Sequence, residues 1–284
     1  MYSRLIARLD IKGPNLVKGI QFEGLRVLGL PEIFARHYYE NGIDELIYMD
    51  AVASLYGRNS LLEIIQRTAK EIFIPLTVGG GIKTIDDIRS VLRSGADRVC
   101  INTAAIQRPE LIKEASLSFG SSTIVISIEA KKNKAGRYEA YTDYGRDSSG
   151  LDAIEWASEA AQLGAGEIII TSIDNDGTGN GFDLDLTRKI SEAVTIPVIA
   201  SGGPGTIEHI SDGITKGNAN AVSVGSMLHY SLAAYLQKET NFSDQGNIEY
   251  LKGNTHSGTR NFQTADIATI KQNMIHKGIQ CREV

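Results

Sequence analysis
The chain has 284 residues, 42% of them hydrophobic and 22% charged, which is enough to bury one large core of the size common in α/β barrels. Its formal net charge of −5 argues against nucleic acid or an anionic membrane as the main partner. The opening MYSRLIARLDIKG is apolar too briefly for a secretory signal, and no apolar run approaches the ~18 residues of a membrane span. Cys100 and Cys281 each stand alone, which fits a reducing cytosol better than a disulfide framework.

In chain order, eight strand-then-helix units are predicted. Strands are expected over Arg4 to Leu9, Glu45 to Met49, Leu76 to Gly79, Arg98 to Asn102, Thr123 to Ile128, Glu167 to Ile173, Val198 to Ser201 and Ala221 to Val224. Helical spacing is found, for example, over Pro31 to Asn41, Ser60 to Glu71 and Asp152 to Leu163. The strands are nearly continuous apolar runs, as parallel strands covered on both faces should be. Ile74 to Ile106 also lies over Ile196 to Leu228 without a gap, at a constant offset of 122 residues, with Gly80/Gly202, Gly81/Gly203, Thr84/Thr206 and Gly95/Gly217 coincident. The period is too long for a solenoid, so the reading is a single (β/α)8 TIM barrel over 1–284, built from two duplicated half-barrels. An open doubly wound sheet is the runner-up, disfavoured by the repeat. A polar stretch at about 231–262 is read as a loop inserted after the eighth strand, with the composition of a mobile lid.

In such a barrel the chemistry sits at the carboxyl ends of the strands. The first strand ends in Asp10 and the fifth in Glu129, two carboxylates facing each other across the mouth. Opposed acids divide work as general acid and general base when their environments separate their pKa values. The glycine turns supply anion sites. Gly80 and Gly81 with Asn102 and Thr103, and Gly202 and Gly203 with Gly225 and Ser226, place backbone N–H groups on opposite sides of the mouth. Two related pairs imply two phosphates, hence a long bisphosphorylated substrate. The run from Asp174 to Asp185 imitates a calcium loop but follows a strand where an EF-hand needs a helix, so it is read as a turn bringing Asp176 and Gly177 to a phosphate. His37, His209, His229, His256 and His276 show no metal-ligand spacing, and neither a metal nor another cofactor is expected. At the other end of the barrel, Arg4, Glu45, Arg98 and Glu167 begin four strands, and alternation can point all four inward, where buried ions must be paired.

The segments RLIARLDIK, VKGIQFEGLR, GIDELIYMDAVAS, PLTVGGGIKT, GADRVCINTAA, GAGEIIITSIDNDGT, GFDLDL and IPVIASGGPG together resemble the cyclase subunit of imidazole glycerol phosphate synthase over nearly the whole chain. The resemblance implies a cytosolic glutaminase partner and ammonia delivered through the barrel interior. It also implies a bisphosphorylated formimino carboxamide ribonucleotide as substrate, cleaved and cyclised to imidazole glycerol phosphate and an aminoimidazole carboxamide ribonucleotide. Asp10 and Glu129 fall on the family's two catalytic aspartates. Arg4, Glu45, Arg98 and Glu167 fall on its charged ring at the ammonia entrance, with Asp97 on the same rim as a candidate glutaminase contact. Lys18, placed on a long loop after the first strand, is expected to help close the site over substrate.

Three departures from the family stand out. Glu129 replaces an aspartate, Arg8 replaces a small residue before the first catalytic acid, and the polar stretch after the eighth strand is longer. They resemble cyclase-like paralogues associated with surface-polysaccharide genes, whose implied role is ammonia supply for amidation of a sugar. A barrel that only activates its glutaminase and conducts ammonia is the non-enzymatic alternative. The sister isomerase of histidine biosynthesis shares the opposed acids but lacks the charged ring.

Overall fold
The computed structural model describes residues 2–53, 61–239 and 262–284. Strand β1 (Arg4–Lys12) runs into a hairpin of β2 (Asn15–Ile20) and β3 (Glu23–Gly29), and is followed by β4 (Glu45–Asp50), β5 (Leu76–Gly79) and β6 (Arg98–Ile101). Strand β7 (Ile124–Lys132) carries a second hairpin, β8 (Tyr138–Thr142) and β9 (Asp147–Asp152), before β10 (Glu167–Ser172), β11 (Val198–Ser201) and β12 (Ala221–Val224). Strands β1, β4, β5, β6, β7, β10, β11 and β12 pair in parallel in that order, and β12 returns to β1. This closed eight-stranded barrel is the expected TIM barrel. Helices α1 (Pro31–Glu40), α2 (Leu62–Thr68), α3 (Ile85–Arg93), α4 (Thr103–Gln107) and α5 (Glu110–Phe119) lie between strands of the first half. Helices α6 (Ala153–Gln162), α7 (Leu184–Ala193), α8 (Ile207–Thr215), α9 (Ser226–Glu239) and α10 (Ile267–His276) belong to the second.

The duplication is visible in local detail. Helices α3 and α8 are capped by Thr84 and Thr206, whose backbones agree within a few degrees and whose hydroxyls accept from the Asp87 and His209 N–H groups. A hydroxyl cap of this kind is worth ~1 kcal/mol, because it satisfies one of the orphan donors of the first turn. Three features differ from the sequence reading. Both hairpins escaped it, since Lys18, Gly19 and Gly24 interrupt the apolar pattern of the first and the exposed β9 has none. Lys18 is therefore a buried strand residue rather than part of an open loop. The stretch after β12 is not all loop, because α9 continues through Glu239, and the rest of that expectation, at 240–261, lies outside the described residues.

Alternation along each strand sorts the side chains. Leu5, Ala7, Leu9 and Ile11 of β1 point outward into the main core beneath the helices. Ile6, Ile47, Met49, Cys100, Val125, Ile169, Ile199 and Ala221 point inward and fill the lumen with an apolar layer. Each fully buried Ile or Leu contributes ~1.5–3 kcal/mol by leaving water. Below that layer the lumen turns ionic. Arg4 Nη1 lies 2.8 Å from Glu45 and its Nη2 pairs with Glu167, while Arg98 Nη1 lies 2.5 Å from Glu167 and 3.8 Å from Glu45. Two cations and two anions thus form the ring that the sequence pattern suggested.

The ring is redundant on its anionic side, since both glutamates keep Arg4 when Arg98 is removed. Arg4 makes the nearer contact to Glu45, so Arg4→Ala should cost more stability than Arg98→Ala. Both should fall between the ~0–1 kcal/mol of exposed pairs and the ~3–5 kcal/mol of broken buried ones. Urea unfolding of the two variants measures the order. Equal costs, or a larger cost for Arg98→Ala, would show that Arg4 does not organise the ring.

Candidate active site
Asp10 is placed at the mouth by β1, two residues above Arg8, so that both side chains point inward. The Arg8 guanidinium spans the top of the lumen. Its Nε donates to Asp10 Oδ1 at 3.0 Å, and its Nη1 donates to the Thr171 hydroxyl at 3.0 Å and to the Ser201 hydroxyl at 3.4 Å. Lys18, brought over the mouth by the first hairpin, donates to Asp10 at 3.3 Å and to Asp176 at 2.8 and 3.1 Å. All four groups are buried. Burial alone pushes Asp10 up, but the Arg8 and Lys18 charges outweigh it and hold the carboxyl below the usual range. Burial likewise works against the Arg8 and Lys18 charges, and the carboxylates override it and raise both.

Glu129 has the opposite environment. It is buried on β7, accepts a backbone hydrogen bond from Gly145, and leaves its Oε2 without a partner. Burial pushes it up to about 7, against the pull of Arg8 and the Gly145 N–H and with the help of Asp10 and Asp176. The two opposed acids are therefore unlike. Asp10 is a pinned anion, and Glu129 holds its proton close to neutral pH.

The glycine turns lie where the sequence placed them. Gly80 has φ +100°, and a Cβ there would stand 2.6 Å from the Asp50 carbonyl oxygen. Gly203 has φ +114° and would stand 2.1 Å from the Gly181 carbonyl oxygen. Neither turn tolerates a side chain, which leaves the backbone bare toward the mouth. Gly80, Gly81, Asn102, Thr103 and Glu129 line one cavity of about 290 Å³. It is braced by the second hairpin, since Asn102 Nδ2 donates to the Tyr141 carbonyl at 3.1 Å and the Asp143 N–H to the Thr103 hydroxyl at 3.0 Å. Asp176, Gly177, Gly202, Gly203, Gly225 and Ser226 line the other, where the Arg8 and Lys18 side chains leave only about 20 Å³.

Asp97 is exposed at the opposite end, and its carboxylate accepts from the Leu76 N–H at 2.9 Å. Arg4, Glu45, Arg98 and Glu167 are likewise remote from the mouth, separated from it by the apolar layer. Three residues escaped the sequence reading. Thr171 and Ser201 accept from Arg8, with Ser201 also lining the second cavity, and His229 is buried on α9 with Nε2 2.8 Å from the Arg8 carbonyl and Nδ1 2.8 Å from the Tyr38 hydroxyl. A carbonyl only accepts, so Nε2 carries the hydrogen and Nδ1 accepts from Tyr38. Burial lowers His229 to about 4, so it is a neutral brace between α9 and β1. Among the described residues no helix is long and apolar enough to cross a membrane.

Residues 4–233 match the family model described as "Histidine biosynthesis protein". A protein of Legionella pneumophila named "Imidazole glycerol phosphate synthase subunit HisF" is 57% identical over 208 residues, covering 73% of this chain and 98% of that protein.

The unlike acids have a thermodynamic signature. Glu129 retains its proton to about pH 7 in the folded protein, against 4.5 ordinarily, so the stability it lends is complete below 4.5 and is lost as pH rises through 7. The loss, on the order of 3 kcal/mol, should fall mainly between about pH 4.5 and pH 7. Glu129→Gln, which is neutral throughout, should flatten the stability curve in that window, as followed by denaturant midpoints. Asp10 acts in the reverse sense, with stability lost only as pH falls below its ordinary 3.8. A curve of unchanged slope in Glu129→Gln would mean that Glu129 is ionised in the native protein.

Proposed function
The chain belongs to the histidine biosynthesis protein family, and from this we propose that it is the cyclase subunit of an imidazole glycerol phosphate synthase. On this reading it takes a bisphosphorylated formimino carboxamide ribonucleotide and ammonia to imidazole glycerol phosphate and an aminoimidazole carboxamide ribonucleotide. The observation that carries the proposal is the pair of opposed acids with different proton affinities, set between two bare glycine turns at one barrel mouth.

Ammonia adds to the substrate carbonyl, and Glu129, protonated near neutrality, gives its proton to the departing oxygen. Asp10, ionised throughout, faces the nitrogen and accepts protons as the imine forms and the ring closes. Gly80, Gly81, Asn102 and Thr103 hold one phosphate. Gly177, Gly202, Gly203, Gly225 and Ser226 hold the other, with Lys18 and Asp176 closing over it. The charged ring of Arg4, Glu45, Arg98 and Glu167 is the entrance for ammonia, and a glutaminase docks on that end near Asp97. The reaction belongs to the cytoplasm.

The tight second turn and the Arg8 cation favour one competing reading, in which the same barrel supplies ammonia to amidate a sugar. Purified protein given ammonium salt and the bisphosphorylated ribonucleotide should consume it, with kcat/KM falling above about pH 7 as Glu129 ionises. Asp10→Asn should abolish turnover, while affinity for the ribonucleotide changes little. Arg8→Gln should move the alkaline limb upward, since Arg8 is what holds Glu129 down. No consumption by wild-type protein that still stimulates its glutaminase would sink the cyclase reading and favour ammonia supply.

A further inference from the structure
The roof of the mouth is built from the two hairpins, and it is nearly symmetric. Gln21 and Phe22 correspond to Asp143 and Tyr144 at the same 122-residue offset that relates the half-barrels. All four adopt left-handed backbone conformations, at φ 52°, 66°, 50° and 59°. Non-glycine residues persist there only when the surroundings hold them, and such positions concentrate at functional sites. The two rings stack across the pseudo-twofold axis, with centroids 4.4 Å apart and planes inclined by 29°. Val17, Ala51 and Ile173 complete a small apolar cluster around them, distinct from the main core. The Arg8 guanidinium lies 5.6 Å from the Phe22 centroid, beneath the roof.

Between the two stacked rings the symmetry breaks at one atom. Phe22 shows that an apolar ring suffices to build the roof, so the Tyr144 hydroxyl is not needed for packing. That hydroxyl is buried, has no hydrogen-bond partner, and lies within electrostatic reach of Asp10, Arg8, Asp176 and Glu129. An orphaned buried hydroxyl is unfavourable, and proteins retain few of them without a reason. Tyr144 lines the same cavity as Glu129. The peptide N–H that Glu129 accepts belongs to Gly145, so one peptide unit ties the carboxyl to the tyrosine. Hydroxyl and proton-holding carboxyl therefore share one half of the mouth, and the other half has neither.

We infer that the Tyr144 hydroxyl is a hydrogen-bond donor of the reaction centre, directed at the substrate oxygen that Glu129 protonates. This rests on the cyclase reading. The hydroxyl donates without giving up its proton: burial holds the phenol well above its ordinary value, and Asp10 adds to that. As the carbonyl oxygen gains negative charge during ammonia addition, the donor stabilises it and the proton comes from Glu129. A fixed donor aimed at developing charge is worth more in the transition state than in the bound substrate.

The test is Tyr144→Phe, which makes the two stacked rings alike and leaves the stack intact. With ammonium salt and the bisphosphorylated ribonucleotide, kcat should fall at least about tenfold while KM changes less than about threefold. The thermal midpoint should stay the same or rise, because an unpaired hydroxyl is gone. Wild-type kcat in the variant, with or without a higher midpoint, would overturn the inference. If wild-type protein binds the ribonucleotide in calorimetry but does not turn it over, the cyclase reading fails and the inference is judged by affinity. About tenfold weaker binding by Tyr144→Phe would then sustain the contact, and equal binding would overturn it. Wild-type protein that neither binds nor turns over the ribonucleotide would overturn both.

Discussion
Charge taken into a barrel has to be matched inside it, because the surrounding strands offer no water and the cost of an unpaired ion is several kcal/mol. This chain meets that constraint twice, on either side of the apolar layer around Ile6, Val125 and Ile169. Below the layer, Arg4 and Arg98 balance Glu45 and Glu167. Above it, Arg8 and Lys18 balance Asp10 and Asp176. Glu129 is then a third carboxyl at the mouth, drawn by the Arg8 charge, with its Oε2 hydrogen-bonded to nothing. Its retained proton follows first from burial, with Asp10 and Asp176 adding to it and Arg8 opposing it, and the difference between the two acids is a property of the whole cluster.

The same balance explains why Arg8 is tolerated. A guanidinium in place of a small residue would be an error in most barrel interiors, but here its Nε and Nη1 meet a carboxylate and two hydroxyls in a fixed geometry, while the buried Nη2 has no partner. Its presence has two consequences. It pins Asp10 as an anion, which removes ambiguity from the proton inventory, and it fills space on the side of the second glycine turn. The two glycine turns began as copies, but the cavities beside them have diverged, one open beside the proton-holding Glu129 and the other filled and ionic.

The strands of this barrel were legible in the sequence because parallel strands buried on both faces are written as apolar runs, and those over Leu76–Gly79, Val198–Ser201 and Ala221–Val224 fall on the residues expected. The duplication, the opposed acids and the glycine turns were legible for the same local reason. The hairpins were not. Strand β2 contains a lysine whose burial is matched by Asp10 and by Asp176, 158 positions away, and no periodicity of the segment itself records such partners. The roles of Thr171, Ser201 and His229 are hidden likewise, since each acts through Arg8 from the far half of the chain. Arg8 was conspicuous as a departure from the family, but its partners became visible only in the closed barrel.

Tyr144 shows where more could have been read. The offset that aligns the glycine turns also aligns Phe22 with Tyr144, so the sequence already says that two aromatic residues occupy related positions and that one of them carries a hydroxyl. What it does not say is that the related positions meet. In a duplicated barrel, equivalent residues near the axis lie closer to each other than to most of their own half, so a chemical difference between them is placed where both halves act on one ligand. Divergence at such paired positions converts a symmetric scaffold into an asymmetric site without altering the strands that support it. The Phe22 and Tyr144 pair lies at that axis, above a mouth where Arg8 Nη2, Glu129 Oε2 and the Tyr144 hydroxyl are all buried without a hydrogen-bond partner.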